Sequence, residues 1–138
     1  MTVSLIVNID VPDLNAGIAF YETGLGFAVR RRLFGGTVAE MEGSAGRIYL
    51  ISQPARSNPV PGSTMERDYG RHWTPVHLDI VVDDIEATRD RAVAAGAQAD
   101  APIADHAFGR LAPMRDPFGH GFCLIHFSVA GYDAVADA

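Results

Sequence analysis

Two stretches of this chain open in the same way, 71 residues apart: Val11-Pro12-Asp13-Leu14 and Val82-Asp83-Asp84-Ile85. The glycines Gly26 and Gly96 follow them at an offset of 70. Either offset is close to half of the 138 residues, so one supersecondary unit is expected to occur twice. A chain of this length is also in the single-domain size range, which makes the two copies modules of one domain.

The local pattern gives each copy its content. Leu5, Val7, Ile9 and Val11 fall on one face of a strand, with Ile6, Asn8 and Asp10 on the other. In the second copy Leu78, Ile80 and Val82 form the apolar face, and His77, Asp79 and Val81 oppose them. A helix follows each strand. Asp13 and Asp84 suit its N-cap, where a carboxylate accepts from free backbone N–H groups. Apolar spacing then runs Leu14, Ile18, Tyr21 and Leu25 in one helix, and Ile85, Thr88, Ala92 and Ala95 in the other. Gly24 or Gly26, and Gly96, end them.

Further strands are expected at Phe27–Phe34, Thr37–Glu42 and Arg47–Ser52, separated by Gly35-Gly36 and by a turn over Gly43–Gly46. The second copy has Gly109–Arg115 and Gly121–Phe127, joined by Asp116-Pro117-Phe118-Gly119, with a weaker strand near Gln98–Ile103. Each module therefore reads βαβββ. Module one covers residues 3–53 and module two 74–128, with a linker at 54–73 and a fraying tail at 129–138. The linker is rich in proline, glycine and serine and ends on Arg67, Tyr69, Arg71, His72 and Trp73. It reads either as a lid or as a solvated connection that Trp73 anchors.

Charge narrows the partners. Eleven Lys+Arg against seventeen Asp+Glu leave a net charge of -6, which argues against nucleic acid and anionic membranes. Cys123 is the only cysteine, so neither an intrachain disulfide nor a Cys-rich zinc site can form. The opening apolar run Val3–Ile9 is too short for a span or a signal peptide, and a soluble, cytoplasmic protein is expected.

Several of these residues resemble a known superfamily. Asp13, Phe20-Tyr21 and Leu25-Gly26-Phe27 are similar to the "D…FY…LGF" signature of the vicinal oxygen chelate superfamily of glyoxalases, bleomycin-resistance proteins and dioxygenases. His77-Leu78-Asp79-Ile80 resembles the opening of its second module. Asp116-Pro117-Phe118-Gly119-His120 with Phe122-Cys123-Leu124 resembles its close, in the wording of small glyoxalase-like domains. The resemblance implies an α+β fold. Two βαβββ modules would form a half-open curled mixed sheet around a cavity, usually in a homodimer.

Metal-dependent members carry N/O donors at the first and last strands of each module. The corresponding positions here fall on Ile6, His77, Cys123 and a residue near Ile48 or Tyr49. One good ligand and one thiol do not complete a divalent site, so no metal cofactor is expected. The alternative is an atypical site drawing on His72, His106 or His120.

His77 and Asp79 share a strand face about 6.6 Å apart. They form the candidate general acid/base pair, although a lone histidine is more often a cavity-wall residue. Asn8, Asp10, Trp73, His77, Asp79, Phe108 and Cys123 are the candidate ligand-binding residues. Ile6, Val81 and Ile125 would supply apolar contact, and Phe34 is a further aromatic candidate. In its apolar strand Cys123 reads as a small buried hydrophobe. Of Arg30, Arg31 and Arg32, alternation lets only Arg30 and Arg32 point together. The sequence reads best as a metal-independent protein that holds a small organic ligand, with a glyoxalase-like lyase or isomerase as the alternative.

Overall fold

A computed structural model describes residues 2–43 and 46–138. Ser44 and Ala45 of the turn expected at Gly43–Gly46 lie outside the described residues. The chain divides into two compact units between Gly70 and Arg71.

The first unit is a βαβββ module. Its strands β1 (Asn8–Val11), β2 (Ala28–Leu33), β3 (Val38–Glu42) and β4 (Arg47–Ser52) form one sheet in the order β1-β4-β3-β2. Helix α1 (Leu14–Ala19) packs on β3 and β4. β1 runs parallel to β4 with Asn8 opposite Tyr49, and the remaining pairs are antiparallel. Ile9, Val11, Ala39, Met41, Ile48 and Leu50 are buried on the helix side, where Leu14 and Phe20 meet them.

β1 starts three residues later than the alternation from Leu5 suggests. Its register places Ile6 opposite Arg47, where β4 begins. Ile6, expected on the inner face, therefore precedes the strand and is 65% exposed. Asp13 caps α1 as anticipated, accepting from the backbone N–H of Ala16 at 3.1 Å. The helix then widens into a π-turn over Phe20–Gly24. The wider turn buries Phe20, Tyr21 and Gly24 instead of holding a 3.6-residue stripe through Leu25. Gly26 supplies the left-handed stop at φ 79°.

The second unit repeats the plan. Strands β5 (Leu78–Val81), β8 (Gly109–Arg115) and β9 (Gly121–Phe127) form its sheet with two short edge strands, β6 (Gln98–Ala99) and β7 (Ala104–His106), both on β8. β5 is parallel to β9, as β1 is to β4. Helix α2 (Ile85–Ala94) packs on β6, β8 and β9, capped by Asp84 accepting from Ala87 N–H at 3.0 Å. Ile85, Ala92, Ala112, Met114, Phe122 and Leu124 are buried. The strand expected over Gln98–Ile103 is split into β6 and β7, and Pro102, which has no N–H to give the ladder, lies in the gap. The tail expected to fray carries a 3-10 turn over Gly131–Val135, with the Tyr132 ring 4.7 Å from that of Phe127. No helix among the described residues is long and apolar enough to cross a membrane.

Candidate functional site

The parallel pairing of β5 with β9 sets Asp79 beside Cys123. Alternation puts both on the face opposite Leu78 and Leu124. His77 immediately precedes β5 and folds back, bringing its Nε2 to 3.2 Å from Asp79 Oδ1. The 6.6 Å backbone spacing is thus closed by the side chains. His77 and Asp79 remain 41% and 39% exposed, so a solute can reach the pair. The Trp73 ring meets the His77 ring edge-on with centroids 5.6 Å apart. Four expected residues, Trp73, His77, Asp79 and Cys123, are therefore brought together in the second unit.

A neutral thiol lies beside the Asp79 carboxylate. Burial, then the Asp79 charge and a hydrogen bond to it, push the Cys123 thiol from an ordinary 9.0 up to about 11. At neutral pH this sulfur is a protonated, 6%-exposed part of the wall, in keeping with its expected role as a buried hydrophobe.

Other expected residues lie elsewhere. Asn8 and Asp10 belong to the first unit, where Asp10 Oδ2 accepts from Arg67 Nε at 2.8 Å. Arg67 also donates to Ser57 Oγ and to the Asn58 carbonyl, while Arg56 and Arg67 pair through their backbones. The linker is thereby clipped to β1. Phe108 stacks on His106 at 5.0 Å and faces Tyr132 at 5.6 Å, just ahead of the Gly109–Phe127 pair and away from the Pro113–Cys123 pair. Phe34 is exposed in the turn after β2.

A polar cluster in the first unit has no counterpart in the expectations. Glu40 on β3 is 1% exposed. Its carboxylate accepts from Arg31 Nε at 2.8 Å, Arg31 Nη2 at 3.4 Å, Arg30 Nη1 at 3.5 Å and Tyr49 Oη at 2.7 Å. Arg31 and Tyr49 together hold its carboxyl below the usual range. The Tyr49 hydroxyl is held above its usual range, first by its hydrogen bond to Glu40. A register shift between Val29 and Arg31 brings Arg30 and Arg31 to the same carboxylate, while Arg32 reaches Asn15. The pairing of Arg30 with Arg32 expected from strict alternation is thus replaced, because a bulge breaks the two-residue period. The only advance sign was an acid inside the apolar run Val38-Ala39-Glu40-Met41.

The donor positions of the superfamily can be tested against these contacts. Ile6 and Ile48 offer only hydrocarbon, and the Tyr49 hydroxyl donates its hydrogen bond to Glu40. Those three positions therefore do not match the N/O donors of the metal-dependent members. In the second, His77, Asp79 and Cys123 each present a ligand atom, all within 4.8 Å of one another. An ion there would have to expel the firmly held thiol proton. A mixed N/O/S set suits Zn2+ better than Mn2+ or Fe2+.

Comparison with known proteins agrees with the fold. The family model for a glyoxalase-like domain matches residues 6–125. The chain is 33% identical over 124 residues to CFP32 of Mycobacterium bovis, a glyoxylase by name, and to the same protein of Mycobacterium tuberculosis. The match covers 84% of this chain, which spans 40% of the length of those relatives. Among solved structures, the fosfomycin resistance protein FosX of Listeria monocytogenes superposes with a TM-score of 0.68 at 16% identity, over 94% of this chain and 96% of its own. A glyoxalase/bleomycin resistance protein of Albidiferax ferrireducens gives 0.64 at 20%, over 88% and 96%. TnmS3 of a Streptomyces species, an antibiotic binding protein, gives 0.62 at 23%, over 93% and 99%. With its two βαβββ modules and this match along most of its length, the chain belongs to the glyoxalase-like domain family of the vicinal oxygen chelate superfamily.

Proposed function

We propose that this protein binds a small organic molecule bearing a cationic or hydrogen-bond-donating group, without needing a divalent metal, and does so as a cytoplasmic homodimer. The observation that carries the reading is the half-exposed Asp79 carboxylate, set between His77 and the neutral Cys123 and flanked through His77 by the Trp73 ring. A carboxylate and an aromatic ring both attract cations, and the indole adds contact area at small entropic cost. The fold is shared with proteins named for antibiotic binding and fosfomycin resistance, which supports a small-molecule ligand.

The test is a titration of the sole tryptophan's fluorescence with a panel of aromatic amines. A binder found in the panel should lose about 1 to 3 kcal/mol of affinity in Asp79→Ala, the usual cost of one desolvated hydrogen bond to a charged group. Equal affinity in the two proteins removes Asp79 from the site.

A second reading is favoured by the His77–Asp79 contact itself. A carboxylate on one imidazole nitrogen fixes the tautomer and leaves the other nitrogen to take or give a proton. That arrangement would suit a lyase or isomerase. Turnover of a bound molecule, lost in His77→Gln with binding retained, would select it.

A further inference from the structure

The segment Arg71–Trp73 lies across the start of β9 and is held at two places. His72 bridges to His120 through its backbone: its N–H donates to Gly119 O at 3.0 Å, and its carbonyl accepts from Gly121 N–H at 3.2 Å. The two imidazoles then share one hydrogen bond, His120 Nδ1 to His72 Nε2 at 3.1 Å, with the rings perpendicular. The second anchor is the largely buried Asp100 carboxylate, which accepts from Arg71 at 3.0 Å and from Trp73 Nε1 at 3.1 Å. Between the anchors the indole lies flat against the backbone of Gly121, where a Cβ would come within 2.4 Å of the ring. The indole and the His77 ring meet edge to face.

A hydrogen bond between two imidazoles needs one N–H and one lone pair. Protonating both rings removes the acceptor and leaves two cations in contact. We propose that the His72–His120 pair is a proton-sensitive latch on this strap, holding Trp73 over the His77–Asp79 site near neutrality and releasing it in acid. The sign follows from proton counting. The latched pair carries at most one extra proton and the released pair two, so falling pH favours release.

Charged groups lie on the elements around the latch. Asp116 Oδ1 is engaged by the N–H groups of Phe118 and His120 in the turn before β9. Asp100 also has Arg115 at 3.9 Å. His77 meets the indole with ring centroids 5.6 Å apart and pairs with Asp79 at 3.2 Å. Carboxylates as a class stay ionised across the range in which imidazoles titrate, so histidines dominate the response. The latch rests on the proposed function only for what the indole covers; its opening needs no ligand.

Trp73 is the only tryptophan, so its emission reports the strap directly in the intact chain. Between about pH 8 and 5, the emission should shift to the red and acrylamide quenching should rise severalfold, with an unchanged far-UV circular dichroism spectrum. His72→Gln with His120→Asn keeps a hydrogen-bonding side chain at each place without the titration, and should abolish the change. His120→Asn alone serves the same purpose if the double variant does not fold. His77→Gln should retain the change, which separates the latch from quenching by a protonated His77. A transition that persists in the latch variants, one that vanishes in His77→Gln, or a flat wild-type profile would overturn the proposal. Failure of ligand binding leaves these outcomes unaffected.

Discussion

A carboxylate inside an apolar strand must find compensation, and Glu40 finds it in Arg31, Arg30 and Tyr49. Because the folded carboxyl titrates below its ordinary value, this contribution is present above the unfolded pKa and is lost as pH falls through the folded one. Glu40→Gln should therefore lower the melting temperature at pH 7, and the difference from wild type should shrink steadily in acid; a pH-independent difference would assign the effect to packing. Cys123 gives the opposite test. Its raised thiol should react slowly with iodoacetamide at pH 8, and Asp79→Asn should speed the reaction by removing a charge that holds the proton on. At this scale the sequence was partly legible. Alternation put His77 and Asp79 on one face, but the contact of Asp10 with Arg67 spans 57 residues, and no local pattern encodes it.

The elements were the most legible level, because caps, glycines and two-residue alternation are local. Asp13 and Asp84 cap their helices as expected, and Asp84→Ala should cost about 1 kcal/mol in denaturant unfolding. What escaped the pattern has a local cause each time. The π-turn after α1 changes the helical period, the bulge at Arg30 changes the strand period, and Pro102 lies where the edge strand divides. Gly121 marks another constraint invisible in sequence, since the indole of Trp73 occupies the space of a side chain there. Gly121→Ala should expose Trp73 at neutral pH, read as a red-shifted emission, while leaving the β8–β9 ladder intact. An unshifted spectrum would place the indole elsewhere.

For the whole molecule, the 71-residue repeat carried the fold: two units of like topology, each with a parallel first and last strand. The proposed homodimer draws on the apolar side chains Val3 and Leu5, exposed ahead of the edge strand β1. Light scattering should give twice the 14.8 kDa chain mass at micromolar concentration, and the single-chain mass would reject the dimer. The site was less legible than the fold, because the partners of Asp79 depend on strand register and on a linker that returns to β9. The most direct test of the binding reading is native mass spectrometry of the protein purified without chelator, which resolves an organic adduct from a metal ion by mass. The account predicts an organic adduct diminished in Asp79→Ala and no stoichiometric metal; one divalent ion per chain, lost in His77→Ala, would contradict it.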